Sequence, residues 1–252
     1  MKPLHYAALA ATVFALLLFF APAHASKADD RIEASAKNTY IFKTFLKDDD
    51  IKIQAQKGHV VLTGLVSEQS YKVLAEKTLA GLPGVKSVDN RLEIKGAPPT
   101  ANSDAWMKEK VQLVLLFHRS VNAVDTQVDV KDGVVTLRGK ATSLAQKELA
   151  AEYARDVDEV KDVINEMTVS LAGEQPTKAA VKTIDDASIT AQVKMALLLH
   201  RSTSDLDALV KTKHGVVTVN GKVKTAAVKD QVSKFVKDVH GVKSVNNRMT
   251  VE

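Results

Sequence analysis

Beyond the first 25 residues the chain carries five histidines, His59, His118, His200, His214 and His240, and it has no cysteine. A zinc or catalytic metal centre needs such ligands at His-x3-His or comparable spacing, with cysteines or carboxylates completing the shell. None of the five has that spacing. The serines lack a nucleophile-elbow context, and no Gly-x-x-x-x-Gly-Lys-Ser/Thr phosphate loop follows the glycine pair Gly58 and Gly64. Carboxylates are numerous but scattered on polar faces. The run Asp48-Asp49-Asp50 could touch a divalent cation, and it also fits a solvated loop. With no acid, base, nucleophile or metal cluster, the residues predict a protein that is not an enzyme and holds no metal or cofactor.

Binding chemistry is better represented. In a helical register starting at Asp104, Met107, Val111, Val114 and Leu115 form a core face. Trp106, Leu113 and Phe117 share a second apolar line, and Leu116 faces away from the core stripe. The chain's only tryptophan on such a line suits insertion at a lipid interface. Burying Trp106, Leu113, Leu116 and Phe117 would release roughly 6–10 kcal/mol before immobilisation costs. The same line would equally suit packing against another helix or a neighbouring domain. His118-Arg119 and His200-Arg201 lie just beyond the two helices concerned, where they could meet phosphate head groups. Met195 and Leu199 give the later helix a weaker version of the line. A basic surface is expected from Lys222, Lys224, Lys229, Lys234 and Lys237, which could favour anionic phospholipid.

These residues sit on a threefold repeat. Gly58-His-Val-Val-Leu-Thr-Gly64 recurs as Gly133-Val-Val-Thr-Leu-Arg-Gly139 and Gly215-Val-Val-Thr-Val-Asn-Gly221. A second phrase starts 26 residues after each first glycine: Gly84-Val-Lys-Ser-Val-Asp-Asn-Arg-Leu-Glu-Ile94, Glu159-Val-Lys-Asp-Val-Ile-Asn-Glu-Met-Thr-Val169 and Gly241-Val-Lys-Ser-Val-Asn-Asn-Arg-Met-Thr-Val251. Each copy opens with a helical pattern behind a polar N-cap candidate, Asp104 and Asp186 in the later two. Period-two stretches around Ile51-Ile53, Val128-Val130 and Val210-Thr212 run into turns at Gly58, Gly133 and Gly215, and β-branched return strands end at Gly64, Gly139 and Gly221. These six glycines are expected to be structural turns. A second helical stretch and a last alternating strand close each copy. The prediction is an α+β fold class: three tandem small domains of order αββαβ, each a three-stranded mixed sheet packed against two helices. They span residues 29–97, 104–172 and 184–252, joined by Pro-containing linkers.

Residues 1–25 read as a Sec-type signal peptide: Lys2, an apolar stretch from Ala8 to Phe20, and Ala23-His24-Ala25 as the cleavage site. The rival is an uncleaved anchor, since Leu4 to Ala21 nearly reaches spanning length. An exported chain without cysteine fits a bacterial periplasm. The formal charge of +5 is unevenly spread. Basic and acidic residues number eleven and ten in 29–97, nine and twelve in 104–172, and eleven and seven in 184–252.

The two phrases at fixed spacing, three times over, resemble the BON domain of exported bacterial proteins linked to osmotic shock and nodulation. The resemblance covers almost all of the chain beyond the signal peptide. It implies a periplasmic, non-enzymatic module that binds phospholipid and supports envelope integrity under osmotic or other stress. Members often carry two such domains, so a third is a departure; attachment to a membrane would have to be peripheral, because the cysteine that lipoproteins acylate is absent. The other function class that fits is a protein-interaction or holdase-like adaptor that uses the apolar helix line on other envelope proteins. Nucleic acid is not an expected partner of an exported chain.

Overall fold

A computed structural model describes residues 27–121, 123, 125–170 and 183–252. The expected signal peptide and the second linker lie outside them. Copy one runs α1 (Lys27–Asn38), a short α2 (Tyr40–Thr44), β1 (Asp50–Gln56), β2 (His59–Val66), α3 (Gln69–Ala80) and β3 (Ser87–Ile94). Copy two runs α4 (Asp104–Phe117), β4 (Thr126–Lys131), β5 (Val134–Ala141), α5 (Leu144–Arg155), β6 (Asp162–Asn165) and β7 (Thr168–Val169). Copy three runs α6 (Asp186–Leu199), β8 (Leu209–Lys213), β9 (Val216–Asn220), β10 (Lys222–Val223), α7 (Ala226–Asp238), β11 (Ser244–Asn247) and β12 (Thr250–Val251).

The mixed α+β architecture is the expected one. In each copy a hairpin pairs antiparallel, β1 with β2, β4 with β5, β8 with β9. The strand after the second helix then joins the middle strand in parallel. Both central turn residues have positive φ in all three hairpins: Lys57 and Gly58, Asp132 and Gly133, His214 and Gly215. That is the type I′ geometry whose twist matches the strands it joins.

Two features depart from the expected elements. In copy one the first helix breaks at Thr39, whose hydroxyl accepts from the Phe42 N–H and starts α2 afresh. Asp104 and Asp186 are also not the N-caps. Ser103 and Asp185 cap α4 and α6, accepting from the Trp106 and Ser188 N–H groups. Asp104 and Asp186, one residue further in, reach across to the hairpin turn. Asp104 accepts from the Asp132 and Gly133 N–H groups at 2.8 and 2.9 Å, and Asp186 from those of His214 and Gly215 at 2.7 and 2.9 Å. In copy one Asp29 holds Lys57 and Gly58 in the same way at 3.0 Å each. A second tie repeats too. The Nδ2 groups of Asn90, Asn165 and Asn247 donate to the carbonyls of Lys72, Lys147 and Lys229, fixing the last strand to the second helix.

Gly64 and Gly139, expected to end their return strands, lie within β2 and β5 instead, where close approach requires them. A Cβ on Gly64 would lie 1.9 Å from the Asp50 carbonyl oxygen, and one on Gly139 1.8 Å from that of Asp125. φ is positive at both, +117° and +125°.

The interior is shared between copies. Copy three has a core of its own, in which Ile189, Val193 and Leu197 of α6 meet Val217, Val219, Val232 and Val236. The other side of α6, Ala187, Ala191, Met195 and Leu199, belongs to a larger core continuous through copies one and two. Helix α4 is likewise buried on two sides.

Gly139→Ala is therefore expected to cost roughly 2–5 kcal/mol, from backbone strain plus collision with a strand carbonyl. Gly96 shares a positive φ of +83° but has nothing within 4 Å. Gly96→Ala should cost only about 1 kcal/mol. Urea denaturation of the two variants measures the difference, and equal losses would show that the strand contact is not what requires Gly139.

Candidate functional site

The apolar line expected to meet lipid is an internal surface. Leu113 and Phe117 are 2% and 0% exposed, and their counterparts Met195 and Leu199 are 2% and 8% exposed. Phe117 packs edge-on against Phe45 of copy one, ring centroids 6.0 Å apart. These four residues are thus corrected from lipid contacts to packing between copies: a helix lying between two layers buries both sides. Trp106 is half-buried beneath the Lys110 ammonium, 5.5 Å from its ring. Leu116 is half-buried in a cleft of about 230 Å³ shared with Leu113, Glu68 and Tyr71. Glu109 stands near the same place. Its carboxyl is pushed up to about 7, by burial first and then by the charge of Glu68, against the pull of the Gln69 backbone N–H.

Arg119 and Arg201 remain exposed, but their guanidinium groups are engaged by protein carbonyls. They build a joint between copies two and three that repeats itself about a local twofold. The Arg119 side chain donates to the Val242 carbonyl at 3.1 Å and to that of Lys237, at the end of α7. Arg201 donates to the Val160 and Val157 carbonyls, at 2.7 and 3.2 Å, just past the end of α5. The backbone follows the same exchange. The Arg119 N–H donates to the Asp238 carbonyl, and the Arg201 N–H to that of Asp156. Ser120 donates to the Asp238 carboxylate at 2.5 Å and Ser202 to that of Asp156 at 2.7 Å.

At the centre lie His118 and His200, both 0% exposed, with their Nε2 atoms 3.1 Å apart. His118 stacks on Tyr153 and His200 on Phe235, ring centroids 3.9 and 4.1 Å apart. The outer nitrogens face carboxylates, His118 Nδ1 at 3.3 Å from Asp238 and His200 Nδ1 at 3.1 Å from Asp156. Both contacts are close, but neither meets hydrogen-bond geometry. Burial pushes the His118 imidazole below its ordinary value, and the Asp238 carboxylate only partly restores it. Burial alone would raise both carboxyls; contacts from His118, Ser120 and Tyr153 hold Asp238 low instead, and those from His200 and Ser202 hold Asp156 low. The Tyr153 hydroxyl donates to Asp238 at 2.7 Å and is raised, by burial first.

The BON domain model matches the sequence three times, over residues 28–96, 103–170 and 185–252. The chain belongs to the BON domain family. It is similar to osmotically-inducible protein Y of Escherichia coli strain K12, 33% identical over 144 residues, covering 57% of this chain and 70% of that protein. It is also similar to the outer membrane lipoprotein DolP of Haemophilus influenzae, 30% identical over 126 residues, 47% of this chain and 65% of that one. A third relative, the 21 kDa hemolysin of Actinobacillus pleuropneumoniae, is 33% identical over 116 residues, 45% of this chain and 59% of the hemolysin.

The three BON domains are not equivalent at the joint. Where domains two and three have His-Arg-Ser, the first has Lys43-Thr44-Phe45, and Thr78 and Gly81 replace the stacking ring and the aspartate. BON domain one instead docks on α6: the Tyr40 N–H donates to Asp185 at 2.7 Å and the Ile41 N–H to Ser188 at 3.2 Å. The expected basic surface also needs redrawing. Lys222 pairs with Glu252 at 3.1 Å, Lys229 is half-buried, and Lys224, Lys234 and Lys237 are exposed. The open sheet faces differ more sharply. In BON domain two, Arg138 bonds Asp129 at 2.9 Å and Glu166 at 2.7 Å. The same three positions in BON domain three hold Asn220, Lys211 and Arg248, with Lys213 and Lys243 beside them.

Because the folded-state value of Glu109 lies above its ordinary 4.5, ionisation works against the folded form, and stability falls as pH rises from about 4.5 through about 7. Glu109→Gln should melt with the parent near pH 4.5 and above it at pH 8. A variant no more stable than the parent at pH 8 would show that a buried, ionised Glu109 does not oppose folding.

Proposed function

We propose that this BON-domain chain is a non-enzymatic binding protein of the bacterial envelope that associates peripherally with anionic phospholipid and supports the envelope under osmotic or other stress. Membership of the family and the names of two relatives, one osmotically inducible and one an outer membrane lipoprotein, support the envelope setting. Among the described residues no helix is long and apolar enough to cross a membrane, which fits attachment from the side.

The observation that carries the lipid reading is the unneutralised sheet face of domain three. Lys211, Lys213, Lys243 and Arg248 are exposed there, and among the described residues none of the four forms an ion pair with a carboxylate. Leu209 and Val216, 55% and 41% exposed on the same face, add apolar surface among the charges. The contact thereby moves from the buried helix line of domain two to this sheet. The adaptor alternative loses its main support, because the line it would have used is interior.

Each basic residue near an anionic surface contributes about 1 kcal/mol. Neutralising three, with Lys211→Gln, Lys213→Gln and Arg248→Gln together, should weaken partitioning onto phosphatidylglycerol-containing vesicles about a hundredfold. Trp106→Ala should leave flotation unchanged. Recovery that ignores the triple variant, or that is equal on purely zwitterionic vesicles, would overturn the proposal.

A further inference from the structure

Two neutral histidines cannot satisfy the centre of the joint. Asp238 and Asp156, ionised, face the Nδ1 atoms of His118 and His200 at 3.3 and 3.1 Å. A bare Nδ1 beside a carboxylate would place lone pair against anion, so each ring keeps its hydrogen on Nδ1. Both Nε2 atoms then present lone pairs to one another across 3.1 Å, a hydrogen-bonding distance, with neither ring open to water. One proton between them turns this repulsion into a charge-assisted N–H···N bond. A second proton would set two N–H groups head to head, and two like charges at the same distance. Only the singly protonated pair fits.

From this geometry we infer that His118 and His200 form a single buried proton-binding site that fastens BON domains two and three together, and that a second proton unfastens them. The stacking rings Tyr153 and Phe235 close the site above and below. The other charged groups facing it are Asp238 at the end of α7 and His240 beyond it, Asp156 beyond α5, and Arg119 and Arg201 from the two loops. Asp156 and Asp238 are held low and stay ionised beside the two rings. The lowered value of His118 gives the sign. A further proton on His118 is disfavoured in the fold, so the second step costs stability at the joint as pH falls below the ordinary imidazole value of 6.5. The fastening contribution of the first proton is lost when rising pH removes it. BON domain one lacks the pair and its aspartate, so the effect belongs to the joint between domains two and three. It is independent of whether the chain binds lipid.

Ring-15N NMR of the full chain, labelled on histidine, tests the inference on the unaltered protein. The expected result is one proton shared by the two Nε2 atoms at pH 7.5, with a second step displaced at least about one unit lower. A single step for both rings, or two rings neutral at pH 7.5, would overturn it. Opening is read from hydrogen exchange of the Arg119 and Arg201 amides, which bond across the joint. Their protection should fall at least tenfold between pH 7 and 5 relative to the amide of Leu137 in the core of domain two. Replacing both rings, His118→Gln with His200→Gln, should abolish that fall, and His240→Gln should retain it. Persistence in the double variant, or no fall in the parent, would contradict the switch.

Discussion

A helix that must bury two faces at once governs this molecule. A module of about 70 residues encloses little interior and is marginal alone. Here the first helices of copies two and three complete their own cores with one side and a common core with the other. Helix α6 has eleven of its fourteen residues buried, including the polar Ser188, Thr190 and Gln192. Ser188 accepts from the Ile41 N–H of copy one, Thr190 bonds Thr212, and the Gln192 amide donates to the Ser188 carbonyl while its Oε1 has no partner among the described residues. The consequence is that three repeats related by sequence behave as one packed body.

The contrast between copies then assigns roles. Ties present in all three, the aspartate on the hairpin turn and the asparagine on the second helix, serve each module by itself. Ties present only in copies two and three serve the joint. The exchange of arginine, serine and backbone contacts is isologous, each partner giving what it receives, as in a C2 dimer. Copies two and three therefore form an internal dimer, with copy one laid across the helices that it brings together.

Much of the fold was legible in the sequence, because glycines and alternating aliphatics at fixed spacing leave few solutions. The hairpin turns, the order of elements along the chain and the turn glycines follow from residues that admit little else. The aspartate clamp was readable in principle: Asp29, Asp104 and Asp186 all lie 29 residues before a turn glycine. Asp104 and Asp186 read as helix caps in the sequence, since capping is the commonest local use of that residue type. The joint was harder. His-Arg-Ser suggested head groups because two basic residues at a helix end look exposed. The signal that they meet protein lies elsewhere, in Asp156 and Asp238 at matching positions where copy one has Gly81. Nothing in one copy's periodicity says which of its two apolar lines finds a neighbour, because burial of the second line is decided between domains.

The overall radius of the chain in solution tests the central claim, that the three copies share interior and form one body. For residues 27–252, small-angle X-ray scattering should give a radius of gyration of about 17 Å, the value for a compact chain of this length. Three modules strung out on linkers would give about 25 Å from the same scaling of their individual sizes, and that result at neutral pH would contradict the account.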